Sequence, residues 1–324
     1  MTTRPRRPPP TVQCRLSCRL SCLLSCLLPC LLPCSVRCLT HRARPWPYCQ
    51  RVELILLGVR GSTPTPGADF VRYGGHTSCV AVAATAGTPP TLLMDAGTGI
   101  RSLPDLLDGA PFAGSVLLSH LHWDHVEGLP FCRAVDRDDA RVDLYLPAQD
   151  GVPARDLLAR TMSPPSFPIE PEGLMGSWRF LPEPEGVALV EGFEVTAVDI
   201  HHKGGRTLGH RVATADGSFA YLPDHAPGRG MSDATVELIE GVDVLLHDAQ
   251  FLESERALAD AYGHATVEET ITLAEKAGVG RLVLFHHSPA RTDDQLDHVL
   301  DGMESTVDII VAREGMRIQI PAGR

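Results

Sequence analysis

Six residues, His120-Leu121-His122-Trp123-Asp124-His125, directly follow the apolar run Val116-Leu117-Leu118-Ser119, and no other stretch restricts the fold of this chain as tightly. Side chains of a strand alternate with a period of two, so His120 and His122 leave a strand end on a common face. The turn that follows can swing Asp124 and His125 toward a second centre. Three imidazoles and a carboxylate so close together match the donor set of a pair of transition-metal ions. Buried without a metal, they would strand several polar groups at roughly 1–3 kcal/mol each. Imidazole suits zinc, manganese and iron, and a carboxylate permits all three. Two divalent ions are therefore expected, zinc first, with manganese or iron as the alternatives.

A site of this kind needs donors from elsewhere, and other expected strands end in them. Strands are predicted over 52–57, 79–84, 91–95, 142–146, 193–200, 209–214, 218–222, 242–246, 281–285, 307–311 and 316–320, each bounded by turn residues. Helices are predicted from Ile100, Leu103, Leu106 and Leu107, and over 233–239, 267–277 and 293–303. His201 and His202 follow the strand at 193–200, Asp224 follows the hairpin at 209–222, and His286 and His287 follow the strand at 281–285. Strands in both halves with helices between them predict an α/β fold, two sheets packed face to face with helices outside. A proline-rich insertion at 163–168 is expected to form a surface loop able to overhang a site.

Residues 1–50 are unlike the rest. Seven cysteines from Cys14 to Cys38 recur every fourth residue in a filling of Leu, Ser, Arg and Pro, with no acidic residue. Pro29 and Pro33 interrupt any helix there, and the apolar run is too short for a spanning helix of about 20 residues. A signal peptide would take Arg4, Arg6 and Arg7 as its basic start, but no small-residue cleavage site follows. The segment is read as low-complexity and disordered, or as translated from upstream of the true start. The folded domain is then 52–324, and a cytoplasmic location is expected.

Eight of the 29 basic residues and none of the 40 acidic ones lie in 1–50, leaving 21 against 40 and a formal charge of −19 beyond it. Neutralising phosphates with Lys and Arg supplies most non-specific nucleic-acid affinity, so a large nucleic acid is disfavoured as a partner. No membrane partner is expected either.

The order of these motifs resembles the metallo-β-lactamase superfamily, over essentially all of Val52 to Arg324. The resemblance implies the αββα four-layer sandwich. It also implies that His120, His122 and His202 hold one ion and Asp124, His125 and His286 the other. Asp224 would bridge them, and Asp95 would stand behind them to orient ligand histidines. His201 could replace His202, and His287 could replace His286. Members of the superfamily often dimerise, which leaves a homodimer open.

Asp224 as the bridging carboxylate disfavours a true β-lactamase, where a cysteine typically stands. Gly58-Val59-Arg60-Gly61-Ser62-Thr63 and Tyr73-Gly74-Gly75-His76-Thr77-Ser78 look like the phosphodiesterase branch that includes tRNase Z and cyclic nucleotide phosphodiesterases. His76 is read as a hydrogen-bonded turn residue. Gly263-His264-Ala265-Thr266 is similar to the motif that supplies a catalytic histidine in that branch. Thr266 with Glu269 makes a capping box, so His264 stands just before a helix start, where an anion such as phosphate is favoured. The expected function is hydrolysis of a small cyclic or dinucleotide phosphodiester by metal-activated hydroxide, with Asp124 and His264 as catalytic groups. The alternatives are tRNase Z-like RNA processing and thioester or lactone hydrolysis of the glyoxalase II kind, which would not need His264. A non-catalytic binding protein could tolerate lost ligands, and none of the seven is missing.

Overall fold

The computed structural model describes residues 51–183, 186–215 and 217–320, so the cysteine-rich segment 1–50 lies outside the described residues. Apolar runs become β1 (Glu53–Gly58), β2 (Cys79–Ala83), β3 (Leu92–Met94), β4 (Ala113–Leu117), β5 (Arg141–Leu146), β6 (Ser177–Pro182) and β7 (Val187–Val190). They continue as β8 (Phe193–Ile200), β9 (Thr207–Thr214), β10 (Gly217–Leu222), β11 (Val244–Asp248), β12 (Arg281–Phe285), β13 (Asp308–Val311) and β14 (Arg317–Gln319). Two seven-stranded sheets result among the described residues, in the orders β14-β1-β2-β3-β4-β5-β6 and β13-β12-β11-β10-β9-β8-β7. Each is mixed: β14-β1-β2-β3 and β7-β8-β9-β10 pair antiparallel, while β3-β4-β5-β6 and β10-β11-β12-β13 pair parallel.

Both faces of the central strands are covered, which makes four layers. In β1, Leu54 and Leu56 point between the sheets and meet Val80, Val82, Val212 and Phe285, whereas Ile55 and Leu57 face the helical layer with Ile100, Leu103 and Leu129. On the far side, Leu245, Leu282 and Leu284 pack against Leu238, Ile271 and Ala274. Each such Leu, Ile, Val or Phe side chain, fully buried, contributes about 1.5–3 kcal/mol. The helices are α1 (Leu103–Leu106), α2 (Trp123–Val126), α3 (Ala154–Ala159), α4 (Asp233–Ile239), α5 (Arg256–Tyr262), α6 (Val267–Ala277) and α7 (Asp293–Asp297). Among the described residues no helix is long and apolar enough to cross a membrane.

Strand direction gathers the carboxyl ends. Because β8 and β10 are each antiparallel to β9, and β10, β11 and β12 run parallel, the last residues of these four strands share one edge. Loops leaving such an edge are where α/β sheets hold ligands.

The spans 193–200, 233–239, 267–277 and 281–285 occur as expected. The helix expected over 293–303 ends at Asp297, since His298 has left helical dihedrals with φ −109 and ψ 6. The helix expected after Gly99 starts as a 3₁₀ turn, Thr98–Ser102, and only four residues of α1 follow. Strands β6 and β7 and helices α3 and α5 were not expected from the sequence. Both β6 and β7 are edge strands, and β7 leaves Val187 and Leu189 exposed, so neither carries the apolar density of a buried strand.

The Arg60 charge is wholly enclosed. Arg60, fully buried after β1, donates through Nε to Gly74 O at 2.8 Å and through Nη1 to Arg291 O at 2.6 Å, with Nη2 3.4 Å from Asp293 Oδ1. Asp293 also accepts the backbone N–H groups of Arg72 and Tyr73. Breaking a buried pair by removing one partner costs about 3–5 kcal/mol. Arg60→Met is expected to lower stability by about that amount, read as a lower urea midpoint with an unchanged slope.

Candidate metal centre

Donors from four connections converge at the shared edge. His120 and His122 follow β4, His202 follows β8 and Asp224 follows β10, and one donor atom from each lies within 4.8 Å of the others. A second group, within the same limit, joins Asp124 and His125 of α2 to His286 after β12 and again to Asp224. Asp224 faces both: its Oδ2 is 3.6 Å from His120 Nε2 and 3.4 Å from His202 Nε2, and its Oδ1 is 3.1 Å from His125 Nε2 and 3.0 Å from His286 Nε2. Asp124 Oδ2 lies 3.2 Å from both His125 Nε2 and His286 Nε2.

The donors fit divalent cations better than they fit one another. His120 Nε2, His125 Nε2 and Asp224 Oδ1 are buried without a hydrogen-bond partner, although His125 Nε2 and Asp224 Oδ1 are only 3.1 Å apart. Proximity without hydrogen-bond alignment, in a set of imidazoles and carboxylates, is what ligand atoms aimed at a shared ion produce. Protonation agrees at three of the histidines. Burial first, then neighbouring imidazoles, pushes His120 and His122 below the usual histidine range, and burial likewise lowers His202, favouring the neutral ligating form. At His125 burial acts the same way, but the Asp124, Asp224 and Asp95 carboxylates outweigh it and raise its pKa well above the usual histidine range. Burial opposes ionisation of Asp124 and Asp224, but the surrounding histidines outweigh it and hold both well below the usual carboxylate range.

The ring nitrogens that face away are held in turn. Asp95, at the end of β3, takes His125 Nδ1 at 2.7 Å, the Ser119 N–H at 2.7 Å, Ser119 Oγ at 2.9 Å and the Tyr221 hydroxyl at 2.9 Å. His202 Nδ1 donates to Gly263 O at 2.6 Å, which turns Nε2 toward Asp224. Gly263, at φ 83, closes α5, and a Cβ there would lie 2.7 Å from Lys203 N. The Ser62 N–H donates to Asp124 Oδ2 at 2.7 Å.

His264 joins the same cavity. Its Nδ1 is 2.7 Å from Asp248 Oδ2, and its ring centroid is 4.9 Å from that of His202 and 5.2 Å from that of His286. Burial works to lower its pKa, but the Asp248 carboxylate beside it prevails and raises it to about 9. Thr266 and Glu269 form both halves of the expected capping box at the start of α6. Ser62, Trp123, Asp124, His202, Lys203 and His264 are among the residues lining an open cavity of about 740 Å³.

The doubled histidines separate. His202 enters the cluster while His201 is exposed. His286 enters it at φ 59, whereas His287 turns away to donate through Nε2 to Ala312 O at 2.9 Å, and burial takes its pKa down to about 3. His76 stands outside the cavity with Nδ1 3.2 Å from Thr98 Oγ1. Sequence reasoning missed Asp248, Ser119 and Tyr221. Asp248 ends β11 as Asp95 follows β3, but the strand expected over 242–246 stopped two residues short of it.

A family profile described as the beta-lactamase superfamily domain matches residues 91–287. The ribonuclease Z of Natronomonas pharaonis is 24% identical over 330 aligned positions, covering 83% of this chain and 98% of that protein. A diphosphatase of the PhnP family superposes with a TM-score of 0.63 at 20% identity, over 84% of this chain and 99% of that one. The short form of human tRNase Z superposes with a TM-score of 0.57 at 22% identity, over 83% of this chain and 99% of that one. Likeness to solved structures at these identities speaks for the fold.

Removing a partner that orients a ligand histidine costs about 10- to 100-fold in metal affinity. Asp95→Ala is expected to weaken metal binding by that factor, measured by competition with a chromophoric chelator. Gly61→Ala is expected to displace His286, because its Cβ would lie 2.4 Å from that ring. Reduced metal content in the purified variant checks it.

Proposed function

The chain belongs to the metallo-β-lactamase superfamily of hydrolases, and on that premise we propose that it hydrolyses a small cyclic or dinucleotide phosphodiester. His120, His122 and His202 would hold one divalent ion, zinc first, and Asp124, His125 and His286 a second, with Asp224 between them. When bound, such ions supply Lewis acidity and lower the pKa of a water from about 16 toward 7. The rest of the chemistry belongs to side chains. Asp124, held ionised and anchored by the Ser62 N–H, accepts a proton from the attacking water. Asp224 keeps two ligand groups in register through its two oxygens.

The observation that carries the phosphodiester reading is His264. With Nδ1 committed to Asp248, its Nε2 is the atom that delivers a proton to the leaving oxygen. It lies three residues before the eleven-residue α6, whose first turn is capped by Thr266 and Glu269. A thioester, whose thiolate leaves without protonation, has no comparable use for such an acid. The acidic domain supports a small diester over a large RNA, and Lys203 is the one lysine or arginine among the residues lining the cavity. Ribonuclease activity is the second reading, favoured by relatives named ribonuclease Z that this chain spans nearly end to end.

His264→Ala is expected to keep its metal content and lose about 10²- to 10⁴-fold in turnover of bis(p-nitrophenyl) phosphate. Loss of metal in the variant, or undiminished turnover, would remove His264 from the mechanism. Since Asp248 raises the His264 pKa, the acid is present at neutral pH and is lost as pH rises. Asp248→Asn is therefore expected to move the alkaline limb of the kcat/KM profile to lower pH. Comparing cyclic nucleotides and dinucleotides with a structured RNA and with thioesters separates the substrate readings.

A further inference from the structure

Beside the candidate centre lies a second cavity, of about 500 Å³, walled by Trp123, Phe131, Leu158, Met162 and Phe167. Trp123 lines both cavities and stands between two candidate ligands, His122 and Asp124. It is 70% exposed and Phe131 is 69% exposed, an unusual state for two large aromatics flanking one hollow. The walls are held in place. Phe167, from the proline-rich loop, meets Phe131 edge to face at 5.9 Å, and its N–H donates to Ser163 O at 2.8 Å. The Phe131 N–H donates to Gly128 O at 3.1 Å, while Leu158 and Met162 are buried beneath.

We infer that this cavity is the subsite for an aromatic base of the substrate, stacked on Trp123 and Phe131 while the phosphodiester occupies the adjoining centre. The inference rests on the phosphodiester reading of that centre. A cavity of this size falls within the range of small-molecule sites, about 300–1,000 Å³. Apart from Glu127 and the exposed Arg160, Thr161 and Ser166, the walls are apolar, and Glu127 repels a phosphate and offsets Arg160, so the uncharged end of the substrate is assigned to this hollow. Aromatic faces select a flat π-system over an acyl chain, since stacking one base on an aromatic side chain is worth roughly 1–3 kcal/mol. The half-buried Glu127 carboxylate on the cavity wall supplies an acceptor for an exocyclic amine such as that of adenine.

The test is binding of adenosine 5′-monophosphate and ribose 5-phosphate to the metal-reconstituted full chain, by calorimetry. The base is expected to add about tenfold or more in affinity. Trp123→Ala and Phe131→Ala are expected to abolish that advantage, and Trp123→Phe to keep most of it, which separates stacking from misfolding. Equal binding of the two probes, an advantage untouched by both alanine variants, or tighter binding of octyl phosphate than of the nucleotide overturns the subsite. Hydrolysis of bis(p-nitrophenyl) phosphate is scored separately. A chain that cleaves it without a base advantage loses only the subsite, and one with a base advantage that cleaves no diester loses only the reaction.

Discussion

A single enclosed carboxylate ties the two sheets together where the donors meet. Asp95 leaves β3 of one sheet and binds Ser119 and His125 of that half, and it also takes the hydroxyl of Tyr221 from β10 of the other sheet. Four hydrogen bonds to one buried anion fix the distance between the sheets at this edge and the rotation of the His125 ring. Asp224 extends the same logic outward, since it leaves β10 and faces histidines from both halves. The interior between the sheets is apolar and undirected, so these carboxylates supply the orientation that packing alone lacks.

Convergence at the edge is bought with local strain. Asp95 and His286 both adopt the left-handed region, at φ 58 and φ 59, immediately after their strands. Non-glycine residues there cost of order 1–3 kcal/mol and persist only where surroundings over-determine them. Asp95 has its four hydrogen bonds to do so, and His286 is held between Asp124 and Asp224. Missing side chains matter as well. Gly97 would drive a Cβ to 2.1 Å from Asp124 O, so the turn after β3 can lie against α2 only because nothing projects from it.

Charge is distributed with a similar division of labour. The domain as a whole is strongly acidic, yet the centre combines His120, His122 and His202 with lowered pKa, ionised carboxylates and a protonated His264 beside Asp248. Trp123, between two candidate ligands, turns a broad hydrophobic face to the second cavity, so charge and apolar surface adjoin without mixing.

Several features were legible before any coordinates. The spans of β8, α4, α6 and β12 follow from apolar periodicity bounded by turn residues, and the Thr266–Glu269 capping box follows from spacing alone. The candidate donors were legible because polar residues at strand ends stand out against apolar runs. What stayed hidden depends on contacts distant in sequence. In β1 every residue is buried, so Leu54 and Ile55 read alike although they serve different cores. His201 and His202 are chemically identical, and only the approach of Gly263 O to one ring selects it. Asp248 lay beyond the strand expected over 242–246 and carried no signal until β10, β11 and β12 aligned their ends and brought His264 to it. The sequence by itself determined most of the buried strands, the helices α4 and α6 and the candidate donors that follow the strands, because those choices rest on local periodicity and capping. Only the tertiary structure decided which donors meet, because that depends on strand order and on hydrogen bonds between segments far apart in the chain.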